Sequence, residues 1–147
     1  MKKEFISCLI ALSFFACKKN ESENDAPIFS SEKTWKVTTV AGGEAGFVNG
    51  TPATARFHFP TDVMVGLDGS LYVLDLVNSG IRRITVDNVS TFTGYNGYGI
   101  VDGAPATAQF QDPINITRDE SGNFFTTDGA DPRIRKITPT GDVSVFA

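Results

Sequence analysis

The sequence predicts an all-β protein, and its composition, its turn pattern and an internal repeat support this prediction. Twelve Phe, three Tyr and one Trp in 147 residues favour strands over helices. Short β-rich runs alternate with turns rich in Gly, Pro, Asn and Asp, and no helical apolar period continues for about ten residues. The net charge is −4, so the chain has no broad basic surface that could hold nucleic acid.

The chain repeats itself with a shift of 53 residues. The segments 50–85 and 103–138 are identical at 13 of 36 positions without a gap. The shared residues include turn formers, a small-residue run and one Asp/Arg pair: Gly50, Pro52, Ala53, Thr54, Ala55, Phe57, Pro60, Gly69, Asp75, Ile81, Arg82, Ile84 and Thr85. A period in this range indicates supersecondary units that cannot bury their apolar faces alone.

Each unit is predicted to form four short antiparallel strands. They are expected at 62–65, 70–75, 81–86 and 89–93 in the first unit, and at 114–117, 123–127, 134–138 and 143–147 in the second. A long Gly-rich loop precedes the first strand of each unit. Four strands per unit at this period predict β-propeller blades, with the two units at about 37–94 and 95–147.

The number of predicted blades is small for a closed propeller, which has about 4 to 8. Two blades are accompanied by one further predicted strand, Val37–Ala41, which matches the fourth strand of a preceding blade. Two blades also leave apolar sides uncovered. We therefore expect an incomplete propeller, belonging to a longer protein or completed by self-association, and the first alternative is favoured.

One motif of the first unit resembles a known repeat. It reads Phe57-x-x-Pro60, then Asp68-Gly69-x-Leu71-Tyr72-Val73-x-Asp75-x-x-Asn78-x-x-Ile81-Arg82-x-Ile84, then Val89-x-Thr91-Phe92-x-Gly94. This pattern is similar to the NHL repeat of bacterial envelope β-propellers, and the second unit matches it less well. The resemblance implies the propeller fold over about 36–147, whereas a fold of this kind hosts many functions.

The N-terminus resembles a bacterial lipoprotein signal peptide over residues 1–17. Two lysines precede the apolar run 5–16, which is too short to cross a hydrocarbon core of about 30 Å as a helix. The run ends at Ala16-Cys17, and the resemblance implies that Cys17 is lipidated; an ordinary secretory peptide is the alternative. Residues 18–34 are polar and predict a flexible tether to the domain at 35–147. We thus expect an exported protein, attached by lipid to the outer membrane or cell surface of a bacterium.

Two Asp/Arg pairs recur with a spacing of seven residues, Asp75 with Arg82 and Asp128 with Arg135. The carboxylates could form a ring near the propeller axis that holds a cation. Alternatively, each pair is an internal ion pair that fixes the geometry of its blade. Recurrence in both units favours the structural interpretation, because a catalytic residue is usually unique.

The sequence predicts neither a catalytic residue nor a metal site. His58 is the only His, and no second His and no Cys of the mature domain could complete a site around it. Its counterpart in the second unit is Gln111, which favours a polar loop residue. The run Gly94–Gly99 superficially resembles a phosphate-binding loop, but no predicted helix follows it to supply a positive N-terminus.

The long loops are the best candidates for ligand contacts. In a four-stranded blade, the connection into the first strand and the one between the second and third strands leave from the same end. Here these connections are the longest and least regular, whereas the opposite end has tight turns. Binding residues concentrate on loops held by a rigid scaffold. The predicted contacts, mainly on the tips 44–49 and 95–101, are Phe47, His58, Tyr95 and Tyr98.

Two classes of function follow from these observations. The first is a binding module that presents its loops to a glycan, a peptide or a protein and needs no cofactor. The second is an enzyme, because the propellers that this chain resembles include metal-dependent lyases and lactonases with axial Asp, Glu, Asn or His ligands. Calcium or zinc would be the metal in that case. The single His favours the binding module.

Overall fold

The structure is a computed structural model that describes residues 35–129 and 131–147. The elements within these ranges are the strands β1 (Pro60–Val65), β2 (Leu71–Asp75), β3 (Gly80–Ile84), β4 (Val89–Gly94), β5 (Pro113–Arg118), β6 (Phe124–Asp128), β7 (Asp131–Ile137) and β8 (Val143–Val145). No helix in the described ranges is long and apolar enough to span a bilayer. The predicted signal peptide with Cys17 and the predicted tether 18–34 lie outside these ranges.

The strands form two antiparallel sheets of four strands each, in the orders β1-β2-β3-β4 (blade 1) and β5-β6-β7-β8 (blade 2). This arrangement confirms the prediction of an all-β fold in which four-stranded blades form an incomplete propeller. The β1–β2 turn requires a glycine at position 69, because Gly69 has a φ of +76°, a conformation that costs glycine little. The N–H of Gly69 donates to the Gly66 carbonyl at 3.1 Å. Asp68 closes the same turn by accepting the Ser70 N–H at 3.1 Å.

Both faces of blade 1 are packed, because side chains alternate along each strand. Tyr72 and Leu74 of β2 point towards blade 2 and join its core. Val73, from the opposite face of the same strand, packs with Ala55 and Phe57 of the long loop before β1. This two-sided burial explains why β2 is an almost continuous apolar run rather than an alternating one.

The core between the blades is continuous across the two sheets. Its buried members are Tyr72, Leu74 and Ile81 from blade 1, Ala108 and Phe110 from the loop before β5, and Ile116, Phe124, Ile137 and Val143 from blade 2. The Tyr72 ring lies 4.4 Å from the ring of Phe124 and 4.8 Å from that of Phe92, centre to centre. Face-to-face stacking of consecutive sheets around such a core is the packing of propeller blades.

Hydrogen bonds also join the first strands of the two blades. The Asp62 carboxylate accepts the N–H of Ile116 at 2.9 Å, and the Thr61 hydroxyl donates to the Pro113 carbonyl at 3.1 Å. A third bond runs from Arg118 Nε to the carbonyl of Val65 at 2.7 Å. The relative position of the blades is therefore set by directional bonds as well as by apolar packing.

The predicted strand Val37–Ala41 is absent from the structure. Residues 37–41 pair with none of the described strands, and the side chains of Val37 and Val40 are 96% and 63% exposed. A strand needs the N–H and C=O groups of a neighbour, and the alternating pattern alone does not supply one. Ala41 still packs against the apolar cluster on the outer face of blade 1.

Several strand bounds also differ from prediction. Strand β7 begins at Asp131, three residues before the predicted start, and β8 ends at Val145 rather than at residue 147. Strand β3 spans Gly80–Ile84, whereas the predicted range was 81–86. These shifts are small because the turn residues between the strands were identified correctly.

Candidate ligand-binding site

The long loops gather at one end of blade 1, which we call the loop end. Register places Pro60 opposite Asp75, Asp75 opposite Gly80, and Gly80 opposite Gly94. The connections 42–59, 76–79 and 95–112 therefore leave the sheet at the same end, as the topology predicts. The opposite end carries the tight turns 66–70 and 85–88.

Asp75 is the residue on which the loop end of blade 1 is built. Its buried carboxylate accepts three hydrogen bonds: from the His58 N–H at 2.7 Å, from Asn78 Nδ2 at 2.8 Å and from Arg82 Nη1 at 3.1 Å. One donor comes from the long loop, one from the β2–β3 turn and one from β3. A single side chain thus ties three separate segments together, and its position in the last residue of β2 makes this possible.

Arg82 extends the same network into the tip of the long loop. The buried guanidinium donates to three acceptors of that loop: the carbonyl of Arg56 at 2.9 Å, the carbonyl of Val48 at 3.0 Å and Oδ1 of Asn49 at 2.7 Å. It also packs against two aromatic rings, 4.5 Å from the centre of Phe47 and 4.9 Å from that of Phe57. A desolvated cation–π contact of this kind contributes about 2 kcal/mol. Arg82 is therefore a scaffold residue that no ligand reaches.

Phe47 and Tyr95 form a stacked pair on the surface, which we call the aromatic platform. Their ring centres are 3.4 Å apart and the ring planes differ by 10°. Tyr95 follows β4 directly with a φ of +68°, and its N–H donates to the Ser79 carbonyl at 3.1 Å. Phe47 also packs against the buried guanidinium of Arg82, and Tyr95 is 45% exposed, so the accessible ring of the platform is that of Tyr95.

His58 occupies a different part of the loop end. Its backbone is held by Asp75, and its side chain lines a cavity of about 370 Å³ together with Phe57, Phe59 and Pro60. The ring centres of His58 and Phe59 are 5.8 Å apart. Phe59 is 70% exposed and has a φ of +56°.

Tyr98 lies on the loop before blade 2. Its hydroxyl donates to the Asp112 carboxylate at 3.1 Å, and its side chain is 63% exposed. Of the four predicted contact residues, the structure joins Phe47 and Tyr95 directly, while His58 and Tyr98 have other neighbours. The predicted site is thus one stacked pair with two separate flanking residues.

Blade 2 repeats the scaffold with different partners. Arg135 donates to the carbonyls of Val101 at 2.9 Å and Gln109 at 3.4 Å, the counterparts of Val48 and Arg56. Its ion pair at 2.6 Å is with Asp102, the counterpart of Asn49. Asp128 accepts two backbone N–H groups, those of Gln111 and Asp112, each at 2.7 Å. Asp128 and Arg135 are both buried, like Asp75 and Arg82, and each of them bonds to the long loop that precedes its blade.

Asp131 of blade 2 is the counterpart of Asn78, and it differs from Asn78 by carrying a carboxylate. Its carboxylate accepts Arg133 Nε at 2.7 and 3.0 Å. The hydrogen bond and charge of Arg133 hold the pKa of Asp131 below its ordinary value of 3.8 despite the opposing effect of desolvation. Within residues 35–129 and 131–147, no group of three or more His, Cys, Asp or Glu side chains is placed to hold a metal ion.

Sequence reasoning missed four polar residues that organise the loops. Asn78 donates to Asp75 and also to the Gly46 carbonyl at 3.0 Å. Asn49 and Asp102 lie 53 positions apart and both accept from a buried arginine, so extending the repeat alignment by one residue would have shown them. Asn96 donates to carbonyls on both sides of the loop before β5, and no local signal predicts this.

Comparison with solved structures shows propeller-like neighbours. An auxiliary nutrient binding protein from Bacteroides thetaiotaomicron is 30% identical over 72% of this chain and 28% of its own length, with a TM-score of 0.59. A second auxiliary nutrient binding protein, from Bacteroides ovatus, is 25% identical over 74% of this chain and 28% of its own, also with a TM-score of 0.59. A protein of unknown function from Bacteroides thetaiotaomicron has 25% identity and a TM-score of 0.63, over 71% and 27% of the two chains.

The chain therefore spans about a quarter of the length of the structures that it resembles. No protein-family model and no curated protein sequence matches it. These comparisons agree with the propeller fold seen in the two sheets.

Proposed function

We propose that this chain belongs to a lipid-anchored β-propeller of the bacterial cell envelope, built from NHL-like repeats, that binds a glycan, peptide or protein ligand at its loop end. The observation that carries the proposal is the aromatic platform of Phe47 and Tyr95. A flat, rigid aromatic surface buries apolar area with little loss of side-chain entropy on binding. Scattered exposed aromatic residues would not provide this.

The scaffold beneath the platform supports the same proposal. The network of Asp75, Asn78 and Arg82 fixes the loop tip 46–49 through the carbonyls of residues 46 and 48 and through the side chain of residue 49, so the platform exists before any ligand arrives. Preorganisation of this kind lowers the entropic cost of binding. Two of the structural neighbours described above are nutrient-binding proteins from Bacteroides, and this similarity favours ligand capture in the cell envelope.

Ligand binding can be tested by calorimetry of the full-length protein in detergent against a panel of soluble oligosaccharides and short peptides. Tyr95→Ala removes half of the platform, and we expect the affinity for any bound member of the panel to fall by about tenfold or more, or about 1.4 kcal/mol. Tyr95→Phe keeps the ring and should bind normally. Asn88→Ala, in a tight turn at the opposite end, is the matched surface control. Loss of binding with Asn88→Ala but not with Tyr95→Ala would place the site at the other end.

The lipid attachment has its own test. Cys17→Ser in the expressed precursor should abolish labelling by a fatty-acid analogue and should change the partition of the protein between membrane and soluble fractions. The wild-type mature protein should carry a lipid mass at an N-terminal Cys17. An unmodified mature N-terminus at another residue would contradict the proposal of an anchor and would leave the platform proposal unaffected.

A further inference from the structure

A cavity of about 270 Å³ lies between the two blades, at the end opposite the loop end, and we call it the turn-end cavity. Its walls come from the β1–β2 turn and strands β2, β3 and β4 of blade 1, and from strand β6 and two turns of blade 2. Small-molecule sites are concave and mostly apolar, with a few convergent polar groups. The size of this cavity suits a molecule with one ring rather than an oligosaccharide.

One wall of the turn-end cavity is a cluster of three aromatic rings drawn from both blades. The ring centres of Tyr72 and Phe92 are 4.8 Å apart, and those of Phe92 and Phe124 are 5.9 Å apart, with ring planes inclined by 77° and 75°. Leu67, which is 62% exposed, adds an aliphatic side chain at the mouth. Aromatic rings prefer such edge-to-face neighbours, so the apolar part of the cavity suits a further aromatic ring.

The polar part of the lining is organised around Asp68. Its carboxylate accepts the Ser70 N–H at 3.1 Å, the Ser70 hydroxyl at 2.9 Å, the Tyr72 hydroxyl at 3.5 Å and Nη2 of Arg83. Burial acts to raise the pKa of Asp68, but the bonds from Ser70 and Arg83 outweigh it and hold the pKa below 3.8. Four donors match the about four acceptor positions of an ionised carboxylate, so Asp68 needs no donor from a ligand.

Arg83 keeps donor capacity at the same place. Its Nε donates to the Ser70 hydroxyl oxygen at 3.2 Å and its Nη2 donates to Asp68. Within residues 35–129 and 131–147, no acceptor bonds to Nη1, and the side chain is 40% accessible. The guanidinium is thus held in position with one nitrogen available. Its matching partner is a carboxylate, because charge-assisted hydrogen bonds are roughly twice as strong as neutral ones.

These polar residues do not recur in the second repeat, although the blade itself does. The positions equivalent to Asp68, Ser70, Tyr72 and Arg83 are occupied in blade 2 by Ser121, Asn123, Phe125 and Lys136. Blade 2 forms the same four-stranded sheet without them. The buried Asp75 and Arg82, by contrast, are present in both repeats. A group that the blade does not need for its own structure favours a role in binding.

We propose that the turn-end cavity binds a small aromatic carboxylate, with its ring against Tyr72, Phe92 and Phe124 and its carboxylate bonded to Nη1 of Arg83. Asp68 and Ser70 act as positioning residues, because they hold the guanidinium rather than contact the ligand. The site lies at the opposite end of the blades from the aromatic platform. It is therefore a second site, independent of the ligand proposed for the loop end.

The test is a calorimetric titration of the full-length protein in detergent, at neutral pH, with phenylacetate. Three further probes separate the two halves of the interaction: phenethyl alcohol and phenethylamine keep the ring with a neutral or cationic end, and acetate keeps the carboxylate alone. Phenylacetate should bind, and each of the other probes should bind at least about tenfold more weakly. No binding of phenylacetate at millimolar concentration, or equal binding of all four probes, would overturn the proposal.

Variants then locate the site. Arg83→Gln should weaken phenylacetate binding by roughly tenfold to a hundredfold, because a hydrogen bond to a charged group is lost. Ser121→Phe places a ring at the exposed mouth and should abolish binding while Arg83 stays intact. Lys136→Gln is the matched control, since Lys136 lies opposite Phe125 as Arg83 lies opposite Tyr72, but outside the cavity.

Lys136→Gln should bind phenylacetate as the wild type does, and thermal unfolding checks that every variant is folded. Unchanged affinity in Arg83→Gln or in Ser121→Phe would contradict binding in the turn-end cavity. An equal loss in Lys136→Gln would show that the carboxylate responds to surface charge in general, and it would also contradict the proposal.

Discussion

Asp75 and Arg82 form an ion pair at 3.1 Å in which both side chains are completely buried. Each partner has other bonds: the carboxylate accepts from His58 and Asn78, and the guanidinium donates to the loop carbonyls of Val48 and Arg56. Desolvation makes a buried pair a weak source of net stability, but removal of one partner leaves an uncompensated charge in the core. Because both partners lie on strands and bond to the backbone of the loop 42–59, the pair fixes the conformation of that loop relative to the sheet.

Removing the Asp75 carboxylate should be strongly destabilising. We expect Asp75→Ala to lower the free energy of unfolding by about 3–5 kcal/mol, because the buried guanidinium then lacks its counter-charge. Glu44→Ala breaks the exposed Glu44–Arg56 pair, whose side chains are 80% and 47% accessible, and should cost about 0–1 kcal/mol. Urea denaturation compares the two variants. Equal effects would show that burial of the Asp75 pair has no energetic consequence.

Phe110 should be the most sensitive large side chain of the core between the blades. It is completely buried in the cluster that includes Leu74 and Ile81 of blade 1 and Ile137 of blade 2. Phe110→Ala should cost about 3–5 kcal/mol, since truncation removes buried area and leaves a cavity. Phe59→Ala, at a ring that is 70% exposed, should change stability by less than about 1 kcal/mol. A small effect at Phe110 would mean that the blades do not share a core.

Two glycines with similar backbone angles separate conformational strain from steric clash. Gly69 has a φ of +76° and no atom within 4 Å of an added Cβ, so Gly69→Ala should cost about 1 kcal/mol of strain alone. Gly94 has a φ of +82°, and an added Cβ would lie 2.8 Å from both the Phe110 ring and the Ser79 carbonyl. Gly94→Ala should therefore cost about 2–4 kcal/mol. Equal thermal shifts in the two variants would contradict the close approach at Gly94.

Stability should decline in acid through identifiable aspartates. The Asn123 side chain bonds to Asp119 and the Arg133 side chain bonds to Asp131, and these contacts hold both pKa values below the ordinary 3.8. A folded-state pKa below the unfolded one adds stability above about pH 4, which is lost as the pH falls through the folded value. Asp119→Asn with Asp131→Asn should flatten the dependence of the unfolding midpoint on pH below about pH 5. An unchanged acid slope would exclude these two groups as its source.

Much of the local structure could be predicted from residue pattern. The strand positions followed from turn residues such as Asp68-Gly69 and from β-rich runs, because these preferences act over only a few residues. The segment Val37–Ala41 shows the limit of that reasoning: its alternation is typical of a strand, yet Val37 is 96% exposed and unpaired with the described strands. Whether a suitable segment becomes a strand depends on a neighbour that the pattern does not contain.

The sequence by itself determined the repeat, the four-strand unit and the recurring Asp/Arg spacing, since all three are local or periodic properties of the chain. Only the tertiary structure decided how these parts are joined. The stacking of Tyr95 on Phe47 and the bonds from Arg135 to Asp102 and Val101 link residues more than thirty positions apart. Such contacts depend on the path of the long loops, and loop paths are set by the packing of the sheets around them rather than by the propensities of their own residues.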